Sequence, residues 1–431
     1  MKTKGTFVDK KVISWALYDW ANSAFATTVM AGFFPVFFKQ YWNVGVEVTT
    51  STLRLGLANS IASLFVVVLA PVLGAIGDRG GARKKFLLFF AAMGVVMTGS
   101  LFFVTQGHWQ LAALIYVLGI IGFSGGNVFY DSLLVSVAPK RREDMVSALG
   151  FALGYLGGGL LFAFNVIMTL KPTWFGLDDV GEAVRLSFLS VAIWWAVFSL
   201  PVMIWVKEPE AVSKASGWAM VTGGFHQLKK TVSEIRKLKV VVLFLIGYWL
   251  YIDGVDTIVR MAVDYGMSLG FAANSLTVAL LLTQFIGFPA AILFGKLGEK
   301  FGTKNSILLG IGVYVGVTVW ARFMDSTGEF YILAVAIGLV QGGVQSLSRA
   351  FYSRIIPTSR AAEFFGFYNM LGKFASVIGP MLMGLVAVWT GNPRHSILAI
   401  IILFLGGGII LYLVDEGEGV RIAMDLEHGS K

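Results

Sequence analysis

The 431-residue chain contains no cysteine. Disulfides and thiolate metal sites are therefore excluded. Histidine is nearly as scarce: His108, His226, His395 and His428 lie scattered over expected loops, span edges and tails. There is no phosphate-binding loop of the Gly-Lys-Ser/Thr type, which argues against an ATP-driven pump. An enzyme needs a clustered nucleophile, acid–base or metal set, and the sequence offers none. No cofactor and no metal are expected. Charge is the third shortage. Only 14% of residues are charged, against about 25% in a soluble globular chain. A larger core does not explain the deficit, because soluble chains of this length split into domains instead.

What is present in quantity is apolar: 56% of residues are hydrophobic, and 51 are glycine. Long apolar runs recur from end to end, which makes lipid the solvent. Glycine inside such runs lets membrane helices approach closely. A span needs about 20 mostly apolar residues. Twelve stretches qualify: 12–38, 54–77, 86–105, 110–136, 146–170, 186–206, 240–263, 275–297, 304–323, 330–352, 363–389 and 395–414. The first is too long for a signal-peptide core and carries Asp19 and Asn22, so it reads as a retained helix.

The net charge of +9 sits in short loops rather than on one polar domain, which excludes nucleic-acid binding. Placing the N-terminus inside gives the inner segments roughly two dozen Lys and Arg against about five outside, as the positive-inside rule requires. Both termini are then cytoplasmic. The expected organisation is a six-helix bundle over 1–206, a linker over 207–239, a second six-helix bundle over 240–414 and a tail over 415–431. Within the linker, Phe225, Leu228, Val232, Ile235 and Leu238 recur at helical spacing with Lys229, Lys230, Arg236 and Lys237 mostly between them. That pattern fits either an amphipathic helix on the inner membrane surface or a solvated linker helix.

Three features recur in both halves, in the same order. Gly74-Ala75-Ile76-Gly77-Asp78-Arg79, with Gly81 and Arg83, echoes Gly295-Lys296-Leu297-Gly298-Glu299-Lys300, with Gly302 and Lys304. Gly125-Gly126 leads to Pro139 and Gly150-Phe151, as Gly342-Gly343 leads to Pro357 and Gly366-Phe367. Tyr18-Asp19 resembles Tyr251 followed by Asp253. Parallel repeats of six spans predict a transporter that rocks around a site between its halves. The expected fold is all-α: twelve transmembrane helices in two pseudo-symmetric bundles.

The two Gly-x-x-Gly-acidic-basic loops resemble the signature loops of the major facilitator superfamily. The segments Trp15 to Val29, Tyr251 to Ile258 and Gly342 to Phe374 resemble the vacuolar-effluxer-like branch, which includes fungal vacuolar amino-acid effluxers and bacterial relatives. The resemblance implies secondary transport. It also implies that spans 1, 4, 7 and 10 line the cavity, and that Asp78 and Arg83 lock one conformation.

Charges within spans supply the candidate site. A charge at mid-span costs about 2.5–3.5 kcal/mol on insertion scales, so it faces water or another charge. Asp19, with Tyr18 and Asn22 beside it, is a candidate substrate-amine or proton site; the alternative is a structural carboxylate. Asp253, Asp256 and Arg260 share one face of span 7. An Asp256–Arg260 pair would leave Asp253, near Tyr251, as the freer group. Asn369 and Lys373 lie one turn apart in span 11, placed to meet a substrate carboxylate or an aspartate. Asp131 and Arg349 each lie eight residues before a loop proline, Pro139 or Pro357, at matching points of the repeat. They predict an inner gate between the halves, or else two charges paired each within its own half. Asp78, Arg79, Arg83, Glu299 and Arg260 complete the gating candidates. Gly150, Gly154 and Gly158 predict close helix packing. The partners expected are the lipid bilayer, a small polar solute and protons. A monomer satisfies the layout. A receptor or scaffold on the same fold, or a sugar or peptide carrier, is the competing reading.

Overall fold

Apolar length dictates the architecture. Among the described residues of the computed structural model, twelve helices are long and apolar enough to cross a membrane. They are α1 (Lys10–Trp42), α2 (Thr50–Asp78), α3 (Arg83–Phe103), α4 (Trp109–Val137), α5 (Glu143–Leu170), α6 (Val180–Trp205), α7 (Lys239–Val259), α8 (Thr277–Phe301), α9 (Thr303–Ala321), α10 (Thr327–Arg354), α11 (Thr358–Thr390) and α12 (Arg394–Leu413). A thirteenth helix, α13 (Glu416–Gly429), follows them. The structure describes residues 9–208, 223, 226, 228–229, 238–271, 273–374, 378–391 and 393–429. The amphipathic segment expected within 207–239 lies almost wholly outside these residues.

Each helix sends apolar side chains outward, as lipid permits: Leu53, Leu57, Leu64 and Val68 line the outer face of α2. The chain is an integral, multi-pass membrane protein. Helix α1 is not uniform. It runs in wider π-helical turns over Phe25–Phe33 and Phe38–Trp42, and Pro35 lies in the short α-helical piece between them. π-Turns are rare and are often found at functional sites.

Each half is tied in a similar way, by a lysine at the end of its last span. In the first half, the Lys84 ammonium donates to the carbonyls of Met203 and Val206 at 2.8 and 2.6 Å, closing the end of α6. In the second, Lys304 donates to the carbonyls of Tyr412 and Val414 at 3.1 and 3.0 Å, closing the end of α12. A cation at a helix C-terminus meets orphan carbonyls and the negative end of the helix dipole.

The halves meet along α2 with α11 and along α5 with α8. Small residues permit this. Gly366 of α11 lies so close that a Cβ there would stand 2.6 Å from the carbonyl oxygen of Ala70. A Cβ on Gly74 of α2 would collide with the carbonyl of Ala362. Backbone cannot step aside as a side chain can. Gly74→Ala is therefore expected to disfavour this arrangement of the halves by about 1–3 kcal/mol. Cross-linking yield between cysteines placed on α2 and α11 should fall accordingly. An unchanged yield would show that the interface can loosen without cost.

Within the first half, α5 lies against α1 through the predicted glycine stripe. Cβ atoms at Gly154 and Gly158 would stand 2.6 Å from Ser23 Oγ and 2.8 Å from Thr27 Oγ1. The stripe is thus a packing surface. It holds α1 close enough for Asp19 to reach the seam between the halves.

Candidate functional site

Five helices from both halves bring polar side chains to one point at the seam. Arg349 of α10 is 3% exposed, so its charge must be answered by protein rather than water. Its Nη1 donates to Asp131 Oδ1 of α4 at 3.0 Å and lies 3.4 Å from Asp19 Oδ2 of α1. Nε donates to Ser147 Oγ of α5 at 2.9 Å, and Nη2 donates to the Ser147 carbonyl at 3.0 Å. The planar guanidinium also lies over three rings, 4.4 Å from the centroid of Phe151, 4.9 Å from Trp15 and 5.3 Å from Tyr130. Asp131 keeps its second oxygen for Asn369 of α11, whose Nδ2 donates at 3.1 Å. Asp19 accepts from the Tyr130 hydroxyl at 3.0 Å.

Geometry here forbids extra volume. A Cβ on Gly150 would stand 2.8 Å from Tyr130 Oη, 2.9 Å from Asp19 Oδ2 and 3.0 Å from Arg349 Nη2. Trp15 fixes the wall by donating to the Tyr130 carbonyl at 2.9 Å and stacking on that ring at 4.4 Å. Tyr18 packs against the same ring at 5.0 Å. Asn22, one turn beyond Tyr18, donates to Asn127 of α4 at 2.6 Å.

The Asp131–Arg349 pair expected from the repeat is therefore made, and it crosses from one half to the other. The reading in which each charge pairs within its own half does not hold. Asp19 joins the same knot, so two carboxylates share one guanidinium. With both carboxylates ionised, the three side chains carry one negative charge in excess.

A second set of contacts ties the halves at the end that carries the repeated loops. Asp78 Oδ1 accepts from Arg83 Nε at 2.6 Å and from the Ala362 amide at 3.1 Å; Oδ2 accepts from the Glu363 amide at 2.8 Å. Asp78 thus serves the N-terminal amides of the helical run Ala361–Phe374, where a negative charge is favoured. Arg83 reaches across to the Thr358 carbonyl at 3.0 Å. The loop of the second half answers at α5. Arg142 donates to Glu299 at 3.0 and 3.1 Å, half-exposed and hence weak. Asp144 accepts from Thr303 at 2.7 Å and from Arg354 at 2.9 Å. The side chain of Arg79 lies outside the described set.

The α7 candidates are placed differently from the expectation. Asp253 is fully buried and engaged. It accepts from Thr257 Oγ1 at 3.2 Å and from the amides of Ile378 and Gly379 at 3.1 and 3.0 Å. Those two amides belong to α11, so the carboxylate is held by one hydroxyl of its own helix and two backbone donors of another. Asp253→Ala is expected to lower stability by about 1–3 kcal/mol, the scale of buried donors left without their acceptor. Thermal unfolding in detergent measures it; a midpoint equal to that of the parent would sink that structural role. Asp256 is half-buried beside it, and the side chain of Arg260 lies outside the described set. Tyr251 is buried and bonds Ser348 on α10 at 2.7 Å. Lys373 is partly buried in α11, one turn from Asn369.

Several site residues carried no signal in the sequence. Ser147 supplies two of the acceptors for Arg349, yet a serine at the start of an apolar run is unremarked. Gln284 of α8 donates to Thr27 of α1 at 2.8 Å, a further bond between the halves. Arg354, Asp144 and Thr303 sit in loop-proximal positions where the positive-inside pattern masks any pairing. Asn127, Tyr130 and Asp131 form a polar stripe within the apolar run of α4, and that stripe is a pointer toward Tyr130.

Comparison with known proteins places the chain in a family. The family model described as "Vacuole effluxer Atg22 like" matches residues 8–143 and 136–423. The MFS-type transporter YxiO of Bacillus subtilis is 41% identical, over 96% of this chain and 97% of its own length. Autophagy-related protein 22 of Yarrowia lipolytica is 27% identical, over 89% of this chain and 79% of its own. Among solved structures, the human organic anion transporter MFSD10 aligns with a TM-score of 0.70 at 16% identity, covering 93% of this chain and 99% of its own. FucP aligns with a TM-score of 0.69 at 11% identity, covering 94% and 100%. The last two show the shared fold alone. With the repeat, the twelve spans and the charged seam, these matches establish that the chain belongs to the Atg22-like family of major facilitator superfamily transporters.

Proposed function

We propose that the chain moves a small polar solute, an amino acid or close analogue, by proton-coupled alternating access, in the direction of export. The halves 1–206 and 240–414 rock as two bodies, with the linker 207–239 between them and both termini in the cytoplasm. One observation carries the reading: Arg349 of the second half is held by Asp19 and Asp131 of the first. Such a knot persists only while the halves are together at that depth, so parting them exposes a cation on one wall and two carboxylates on the other. An amino acid carries both complementary charges and can satisfy each wall. The proton balances the surplus carboxylate. Asp19, Asp131 and Arg349 are the proposed binding and gating groups, with Tyr18, Asn22, Asn369, Lys373 and Asp256 along the pathway. Asp78, Arg83 and Glu299 lock the basic-loop end, which the positive-inside bias assigns to the cytoplasm.

A thermal-stabilisation screen across amino acids, sugars, nucleosides and peptides identifies the solute. Flux into and out of proteoliposomes, with and without a pH gradient, then tests the coupling. Stabilisation by an amino acid with flux that follows the pH gradient is the expected result. Flux indifferent to that gradient removes the proton. No flux under any gradient, with specific capture of a protein partner, removes transport and leaves the scaffold reading.

A further inference from the structure

The helix after the last span is wired into the contacts that close the basic-loop end. Asp415 caps its start by accepting from the Glu418 amide at 3.0 Å. The helix then docks on the ends of α7 and α10: a Cβ on Gly419 would stand 2.7 Å from Ile355 and 2.9 Å from Val240. Two of its carboxylates reach past this apolar seat. Glu416 accepts from Arg354 Nε at 2.8 Å. Nη1 and Nη2 of the same guanidinium bond Asp144, at 2.9 Å, and Thr303. Glu416 therefore fixes the fork that crosses to α5 of the other half. Glu427 accepts from the Ser359 amide at 3.1 Å and from its hydroxyl at 3.0 Å. Ser359 belongs to the turn Thr358–Arg360, whose carbonyls receive Arg83 from the first half. Each acid holds, from behind, a group that makes a bond between the halves.

We infer that α13 is a strap: by orienting Arg354 and the Thr358–Arg360 turn, it pre-organises the closed basic-loop end and sets how readily that end opens. The inference rests on the alternating-access reading. Pre-organisation favours the bonded arrangement because less side-chain freedom is lost on forming it. Glu416 and Arg354 are partly exposed, which keeps the effect moderate and the strap releasable. Release leaves the α7 and α10 ends intact, since Val240 and Ile355 belong to the second half's own core.

The test uses the full chain, purified and reconstituted in lipid nanodiscs. Spin labels on Lys140→Cys and Lys300→Cys, both exposed and on opposite halves, report the separation of the basic-loop end by pulsed EPR. Glu416→Gln, Glu427→Gln and their double variant keep side-chain size and remove the charge. Asp78→Asn serves as the reference for a broken lock, and Arg421→Gln as a control on the exposed side of the same helix. The double strap variant is expected to raise the ratio of long to short distances about 3- to 10-fold, with each single variant smaller and Arg421→Gln unchanged. If Asp78→Asn lengthens the distances and the double strap variant does not, the strap is overturned while alternating access stands. If neither changes the distances, that end is not a gate, and the strap falls with it. Truncation after Asp415 is the second variant; it must reproduce the double substitution, and a distribution like that of the parent overturns the proposal.

Discussion

Replacing Arg349 by Ala should be the most damaging single change in this protein. It removes the guanidinium that answers Asp131 and Asp19 and that donates to Ser147 twice. Stripping one partner from a buried ion pair costs about 3–5 kcal/mol, because the remaining charge stays buried without an answer. Here two carboxylates are stranded rather than one. A fall in thermal midpoint larger than that of any other substitution in the seam is expected in detergent, with loss of solute flux. Arg349→Lys should recover part of the stability and little of the flux, since an ammonium cannot present the planar fork that spans two carboxylates and a serine. Exchanging the charges of Asp131 and Arg349 is not a neutral swap. It restores the pair but moves the cation to α4 and sets the carboxylate introduced on α10 beside Asp19, where the guanidinium stood. The double exchange should therefore rescue clearly more than either single reversal only when Asp19→Asn is added. If Arg349→Ala left both the midpoint and the flux unchanged, the knot would be an ornament of one conformation.

The second large effect belongs to Asp78→Ala. It strips the amides of Ala362 and Glu363 of their acceptor and takes from buried Arg83 the carboxylate it bonds. A penalty of about 3 kcal/mol on the closed basic-loop end follows from losing one buried ionic partner. That corresponds to roughly a hundredfold shift toward the state in which the end is open. The chain offers a clean readout because it has no native cysteine. Ser346→Cys places a single thiol at a fully buried position of α10. Its labelling rate by a membrane-impermeant reagent applied at the basic-loop face should rise about 10- to 100-fold in the Asp78→Ala background. Labelling as slow as in the parent would mean that Asp78 holds one helix end without governing access.

Much of the architecture was written in patterns that depend only on neighbours along the chain. Apolar length located twelve spans. The spacing of Asp131 and Arg349 from equivalent prolines even predicted a contact between residues 218 positions apart. That inference worked because a repeat converts sequence register into depth. It had no means of finding Asp19 in the same knot, since the repeat matches Asp19 with Asp253, another acid, and not with a base. Ser147 was hidden for another reason: a hydroxyl is cheap to place in a helix and reveals nothing until a partner arrives from elsewhere. The partners of Asp253 were out of sight because the base on its face of α7, Arg260, is matched by spacing to Asp256. The amides that satisfy Asp253 are backbone groups of α11, and backbone acceptors and donors leave no letter in a sequence. The tail over 415–431 carried no long apolar run, and its helix is held by Asp415, Glu416 and Glu427 rather than by lipid.

The aromatic walls around Arg349 have a further consequence. Phe151, Trp15 and Tyr130 cover the guanidinium, which is 3% exposed, whereas Arg142 is half in solvent and Glu299 a quarter. Ions at about 0.15 M screen charges beyond roughly 8 Å in water and act far less on a dry pair. Raising ionic strength should therefore slacken the rim of the molecule while leaving its interior clasp untouched, so that the electrolyte around this carrier tunes one of its two fastenings and not the other.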